Sequence, residues 1–247
     1  MKRKFIILSL TVLFLFGAGT FTSASENSSS YLYDILILQP DVTSQELLSS
    51  IQEVSNNTGE SENQILEHIY KELKENQEQG LRESKTYKTN VESQIFGGTG
   101  GTVSVGSSTK GNFYYTPSQT AYLDHGHVGM YYTPTTIVES VPTDGVRTIS
   151  TTARKVDSSG ALVKSVNTST ANRDAAANWA FTQVGENYSY NFATNRITSY
   201  TGAKNCSKLI WAAFKQYGNL DLDDDGGLGV YPRDIRDAPD TTLVRNI

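Results

Sequence analysis

The chain has 247 residues, a formal net charge of -5, 37% hydrophobic residues, 14 tyrosines and a single cysteine. That length and apolar content suffice for one domain with an appendage and exclude a disordered tail. The acidic balance argues against nucleic acid as a partner, and one cysteine excludes an intramolecular disulfide framework.

The N-terminus carries Lys2, Arg3 and Lys4 ahead of an apolar run over residues 5–16, then Gly17, Gly19 and Thr22-Ser23-Ala24. This reads as a signal peptide over residues 1–24, cleaved after Ala24. Its apolar run falls short of the ~20 residues a spanning helix needs. The mature chain is therefore expected to be secreted, extracellular or held at the cell wall by contacts alone, with no stable membrane insertion.

Residues 25–96 read as a charged helical region. A short apolar run covers residues 33–38, and Thr43 with Glu46 forms a capping-box pattern ahead of Leu47, Leu48, Ile51 and Val54. Ser61 with Gln64 repeats it ahead of Ile65, Leu66, Ile69 and Leu73. The region fits a propeptide, a wall-targeting appendage or a packing extension equally well. The glycines of residues 97–101 mark a domain boundary.

Beyond the glycines the period becomes two. Strands are expected at residues 113–116, 127–132, 137–141, 147–151 and 161–166. Helices are expected at about 172–184, opened by Ser169 or Thr170, and from Cys206 to Gly218. Strands followed by two helices give an α+β fold, an antiparallel sheet with helices packed on one face.

Cys206 follows Asn205, a good N-cap, and opens an amphipathic helix, where aligned N–H groups favour a thiolate. A thiol hydrolase also needs a base and a group to orient it. Of the three histidines, His68 lies on the charged helix, leaving His125 and His127 in Asp124-His125-Gly126-His127-Val128-Gly129-Met130. His127 opens an uninterrupted strand pattern, and both would share a face if the strand began at His125. Glu139 is the acid on the next strand. It shares a face with His127 if the intervening loop has an odd number of residues, and not if the number is even.

His-Val-Gly-Met-Tyr-Tyr from His127, Glu139 twelve positions on, and Asn-Cys-Ser-Lys-Leu-Ile-Trp from Asn205 resemble the circularly permuted papain-like cysteine hydrolases of the NlpC type, especially the YiiX-like branch. They are more distantly similar to the lecithin retinol acyltransferase group. The stretches at 184–190 and 218–235 share the resemblance, which covers roughly residues 110–237. It implies a papain-like domain over residues 97–247, with Cys206 as nucleophile, His127 as base and Glu139 as orienting group. Tyr188, Tyr190 and His125 are further candidates for substrate or oxyanion contacts. Two departures stand out. The His-then-Cys order differs from ordinary NlpC-type wall peptidases, which puts their stem-peptide specificity in doubt. Asn112 also stands where an Asp often stands in the family.

No cofactor is expected. Asp221-Leu222-Asp223-Asp224-Asp225-Gly226 imitates the first half of a calcium loop, but Pro232 occupies the twelfth position, and the segment reads as an acidic turn. Asp124, His125 and His127 lack enough further ligands for zinc. The expected function is a secreted cysteine peptidase or amidase acting on peptidoglycan or other envelope peptides. The alternatives are lipid acyl hydrolysis or transfer, and an inactive envelope-binding module. Residues 26–96 are a further candidate for a cover over the cleft, removed by cutting.

Overall fold

A computed structural model describes residues 24–87, 101–117 and 125–247. Residues 1–23 of the expected leader, the glycines at 97–100 and Asp124 lie outside the described residues. Among the described residues the elements follow in the order α1 (Ala24–Leu38), α2 (Ser44–Thr58), α3 (Glu62–Tyr87), β1 (Val103–Ser104), β2 (Phe113–Thr116), β3 (His127–Thr133), β4 (Thr136–Val141), β5 (Gly145–Ser150), β6 (Lys155–Val156), β7 (Leu162–Val166), α4 (Thr170–Thr182), α5 (Cys206–Tyr217), α6 (Pro232–Asp237) and β8 (Thr241–Asn246).

Local chemistry sets the helix starts. The Thr43 side chain accepts from the Glu46 amide at 3.2 Å, and Ser61 exchanges bonds with Gln64, its amide donating to Oε1 at 3.1 Å. Ser169 caps α4 by accepting from Asn172, and Asn205 caps α5 by accepting from the Lys208 amide at 3.0 Å. The strands expected from the sequence all form, with bounds moved by one or two residues. Four elements were not foreseen, among them the two-residue strands β1 and β6. The short α6 begins at Pro232, and β8 pairs on the sheet edge with its side chains largely exposed, so it lacks the alternation that marks a half-buried strand.

The main sheet has the order β5-β4-β3-β2-β7-β8, antiparallel throughout. This is the expected α+β architecture. Phe113, Tyr115, Val128, Met130 and Val138 join the core shared with α4 and α5. Tyr114, Tyr131, Ile137 and Val163 form a second cluster on the opposite face with Val105 and Val156, which belong to the loop after β1 and to β6.

Buried residues of α1 to α3, including Ile35, Leu47, Ile51, Ile69 and Leu73, belong to the same cluster as α4 and α5. Polar contacts fasten this layer. Glu72 accepts the amides of Leu228 and Gly229 at 3.0 and 2.9 Å, and Glu83 pairs with Arg236 at 2.7 Å and with the buried Arg233 at 3.2 Å. Burial raises the Glu83 carboxyl, but Arg236 and Arg233 outweigh it and hold the group at about 2. A depressed carboxyl contributes stability above its unfolded value of 4.5, lost as pH falls towards 2. Glu83→Gln is therefore expected to lower the urea midpoint at pH 7, with the gap from the parent closing as pH falls from 4.5 to 2.

Candidate active site

The site is built where β3 and β4 part company. Their ladder pairs Thr133 with Thr136, Tyr131 with Ile137 and Met130 with Val138, and extends no further towards His127. Two positions further along this register, Val128 and Ser140 turn to other partners. Ser140 Oγ donates to the Lys204 carbonyl at 2.6 Å, and the Val128 amide donates to the Cys206 sulfur. The N-terminus of α5 thus meets both strands, β4 through the Lys204 carbonyl and β3 through Val128, the residue after His127.

The parity question is answered by a bulge. Thr133 and Thr136 enclose a two-residue turn, which alone would put His127 and Glu139 on opposite faces. A register shift between Tyr131 and Thr133 inserts one extra residue into β3 and reverses that outcome. Glu139 then faces His127, and Oε2 lies 3.0 Å from Nε2.

Glu139 is fully buried, and five bonds saturate its carboxylate. Oε2 accepts from His127 Nε2, from Tyr114 Oη at 2.5 Å and from Arg154 Nε at 2.9 Å. Oε1 accepts from Arg147 Nε at 3.1 Å and Nη2 at 2.8 Å. Burial alone would push this carboxyl up, but Arg154 and His127 hold it far below the usual carboxylate range. A carboxylate only accepts, so the neutral His127 ring must carry its proton on Nε2, leaving Nδ1 as the basic nitrogen. Burial lowers the His127 pKa in spite of Glu139, because Arg154 and Arg147 spend much of the carboxylate charge.

Cys206 is also buried. Burial pushes its thiol up to about 12, against the amides of Val128, Ser207 and Cys206 itself, which favour the thiolate. Among the described residues no hydrogen bond joins the sulfur to the His127 ring. Burial thus keeps both groups neutral at rest, the Cys206 thiol raised and the His127 ring lowered.

His125 is separated from His127 by Gly126, whose φ of +84° ends any strand before it begins. A Cβ at Gly126 would fall 2.4 Å from the Tyr115 ring, so both conformation and space call for glycine there. The expectation that a strand might start at His125 fails for this reason. His125 packs against Phe192 with the rings tilted at 41° and their centroids 4.2 Å apart, its Nδ1 lies 2.8 Å from the Gly126 carbonyl oxygen, and burial lowers it to about 3.

Tyr188 and Tyr190 contact each other edge-on at 4.9 Å. Their neighbours Ser189 and Asn191 line a polar cleft of about 310 Å³ that runs to Lys204, Asn205 and Lys208, with Glu46 and Glu53 of α2 on its other wall. Asn112 spends its side-chain amide on Ser108 Oγ, to which it donates at 2.9 Å.

Sequence reasoning missed Tyr114, Arg147, Arg154 and Asn195. Tyr114 pairs with Gly129 and so shares the His127 face, which was accessible once the β2–β3 register was known. Arg154 lies in the turn between β5 and β6 and carries no local signal. Asn195 donates to Asn205 Oδ1 at 3.1 Å and to the Val230 carbonyl at 2.9 Å, bracing the α5 cap.

Replacing Glu139 with Gln leaves Arg154 and Arg147 facing a buried group without charge. Glu139→Gln is expected to cost about 3–5 kcal/mol in urea unfolding. A loss below about 1 kcal/mol would mean the arginines find other partners.

No family model matches the chain. A solved structure, described as the crystal structure of metalloprotein yiiX from Escherichia coli O157:H7, is similar at a TM-score of 0.43 and 16% identity, covering 57% of this chain and 98% of that one. The uncharacterized protein YycO of Bacillus subtilis strain 168 is 42% identical over 246 residues, spanning 99% of this chain and 98% of its own length. The chain belongs to the family of that protein.

Proposed function

We propose that this chain is a secreted cysteine hydrolase of amide bonds, acting on peptidoglycan or other envelope peptides through Cys206, His127 and Glu139. The observation that carries this reading is the fixed tautomer. Glu139 accepts a hydrogen bond from His127 Nε2–H and leaves Nδ1 as the basic nitrogen at the start of β3, where the next residue's amide favours the Cys206 thiolate. His127 takes the thiol proton as the sulfur attacks an acyl carbon. It then gives that proton to the departing amine, and water, losing a proton to His127, attacks the thioester, so that the acyl group leaves as a carboxylic acid and the proton returns to the Cys206 sulfur. The Cys206 amide is one donor to the developing oxyanion, and Tyr188 or Tyr190 is the candidate for supporting substrate.

The polar lining of the cleft beside Asn205 favours a peptide over a lipid acyl chain, for which an apolar groove would be expected. Secretion rests on the leader pattern, and the wall substrate on secretion together with the family resemblance. A resting thiol this deeply buried suits an enzyme whose site opens on substrate binding or on removal of the α1–α3 layer.

Two outcomes test the reading. Against purified peptidoglycan, followed by release of free amino groups, Cys206→Ala is expected to abolish turnover. His127→Ala should lower it by about 10²–10⁴-fold, with His125→Ala close to the parent. Cleavage that survives Cys206→Ala would refute thiol chemistry. In the intact mature chain, iodoacetamide should label Cys206 slowly at pH 7, with the rate still climbing above pH 9, because burial raises the thiol to about 12. Fast labelling at pH 7 would contradict a closed resting site.

A further inference from the structure

Away from the thiol, three carboxylates from two segments converge. Asp223 and Asp225 lie in the connection between α5 and α6, and Asp234 lies in the first turn of α6. One oxygen from each lies within 4.8 Å of the other two. Such a cluster alone is common on protein surfaces. Here the Asp223 side chain is fully buried, and its Oδ1 has no hydrogen-bond partner among the described residues. Its Oδ2 lies 2.9 Å from Arg196 Nε. That guanidinium is shared, since its Nη2 pairs with Asp221 at 2.7 Å. Asp221 is further occupied by Trp211 Nε1 at 2.7 Å and Lys215 Nζ at 2.8 Å, so it is turned away from the cluster. Among the described residues, half of one arginine thus faces three converging carboxylates, one of them buried with Oδ1 unpaired.

The local chain is shaped for this convergence. Asp221, Asp223 and Asp225 alternate, and Gly226 turns the backbone at φ +72°. The Asp225 Oδ1 accepts the Gly227 amide at 2.8 Å, and the Asp234 Oδ2 accepts the Tyr231 amide at 2.6 Å, which fixes both side chains while leaving lone pairs free. Pro232 at the twelfth position argued against a calcium loop on sequence grounds. The structure places a carboxylate beside the loop by another route, since α6 brings in Asp234 two residues later. Burial and the repulsion of Asp225 raise the Asp223 carboxyl, against the opposing pull of Arg196 and the Gly226 amide, and burial with Asp225 raises Asp234.

We propose that Asp223, Asp225 and Asp234 bind a calcium ion, with water completing its shell. An all-oxygen anionic set suits a hard cation and lacks the nitrogen or sulfur ligands that zinc prefers. The ion would tie the α5–α6 connection to α6. That connection supplies the Val230 carbonyl, which accepts from Ser207 Oγ at 2.6 Å, and the Leu228 and Gly229 amides that hold Glu72 of α3. Bound calcium would therefore stiffen the shelf under the first turn of α5 and the docking point of the N-terminal helices, independently of the chemistry at Cys206.

The test is calorimetric titration of CaCl₂ into the chelator-treated full mature chain, with thermal unfolding in parallel. Calcium is expected to bind with a dissociation constant of about 1 mM or tighter and to raise the melting temperature. Asp225→Asn, at an exposed position that should not disturb folding, is expected to weaken binding about tenfold through loss of one ligand charge. It should also raise the melting temperature of the calcium-free chain by relieving repulsion, and Asp234→Asn should do the same. Absence of both heat and thermal shift at about 10 mM calcium, calcium binding unchanged by Asp225→Asn, or binding of ZnCl₂ but not CaCl₂ would each overturn the assignment.

Discussion

The arrangement around Cys206 depends on one buried anion. Glu139 sits at the centre of the sheet's second face with no solvent to stabilise its charge, and its five hydrogen bonds come from β2, β3, β5 and the turn after β5. A carboxylate so enclosed persists only because Arg154 and Arg147 neutralise it. Those arginines have an opposing effect on chemistry. They fix Glu139 as a permanent acceptor, which sets the His127 tautomer, but they also reduce the negative potential that would help the ring become an imidazolium. Orientation is gained, and basicity is held down.

The same economy applies to the thiol. The three amides around the sulfur are arranged for a thiolate, yet desolvation dominates in the closed site. The arrangement is complementary to the charged state but holds a neutral thiol at rest; under the proposed function the sulfur would ionise only as substrate enters. The α1–α3 layer is part of the same core and closes one wall of the polar cleft through Glu46 and Glu53. Its anchors at Glu72 and Glu83 grip the α5–α6 connection and α6.

Much of this was legible in the sequence, for identifiable reasons. The Asn205 cap, the Thr43 and Ser61 boxes and the alternation at residues 113–116 and 127–133 are local signals, and each element forms where its signal lies. The His127–Glu139 pair was legible only as a parity condition, because a bulge at Tyr131–Thr133 leaves no mark that distinguishes it from a regular strand. The arginines were not legible. Arg154 reaches Glu139 across 15 positions, and nothing in its neighbourhood announces a buried charge. Asp234 was hidden in the same way, since a loop motif counted along the chain does not see a ligand delivered by the next helix. β8 escaped notice because an exposed edge strand lacks the alternation that burial imposes.

The most direct test of the account is nitrogen-15 NMR of the His127 ring in the resting protein at pH 7. The account predicts a neutral imidazole with its proton on Nε2 and a bare Nδ1, lost as a single tautomer in Glu139→Gln. A proton on Nδ1, or a charged ring at that pH, would contradict the claim that Glu139 fixes His127 as the base for Cys206.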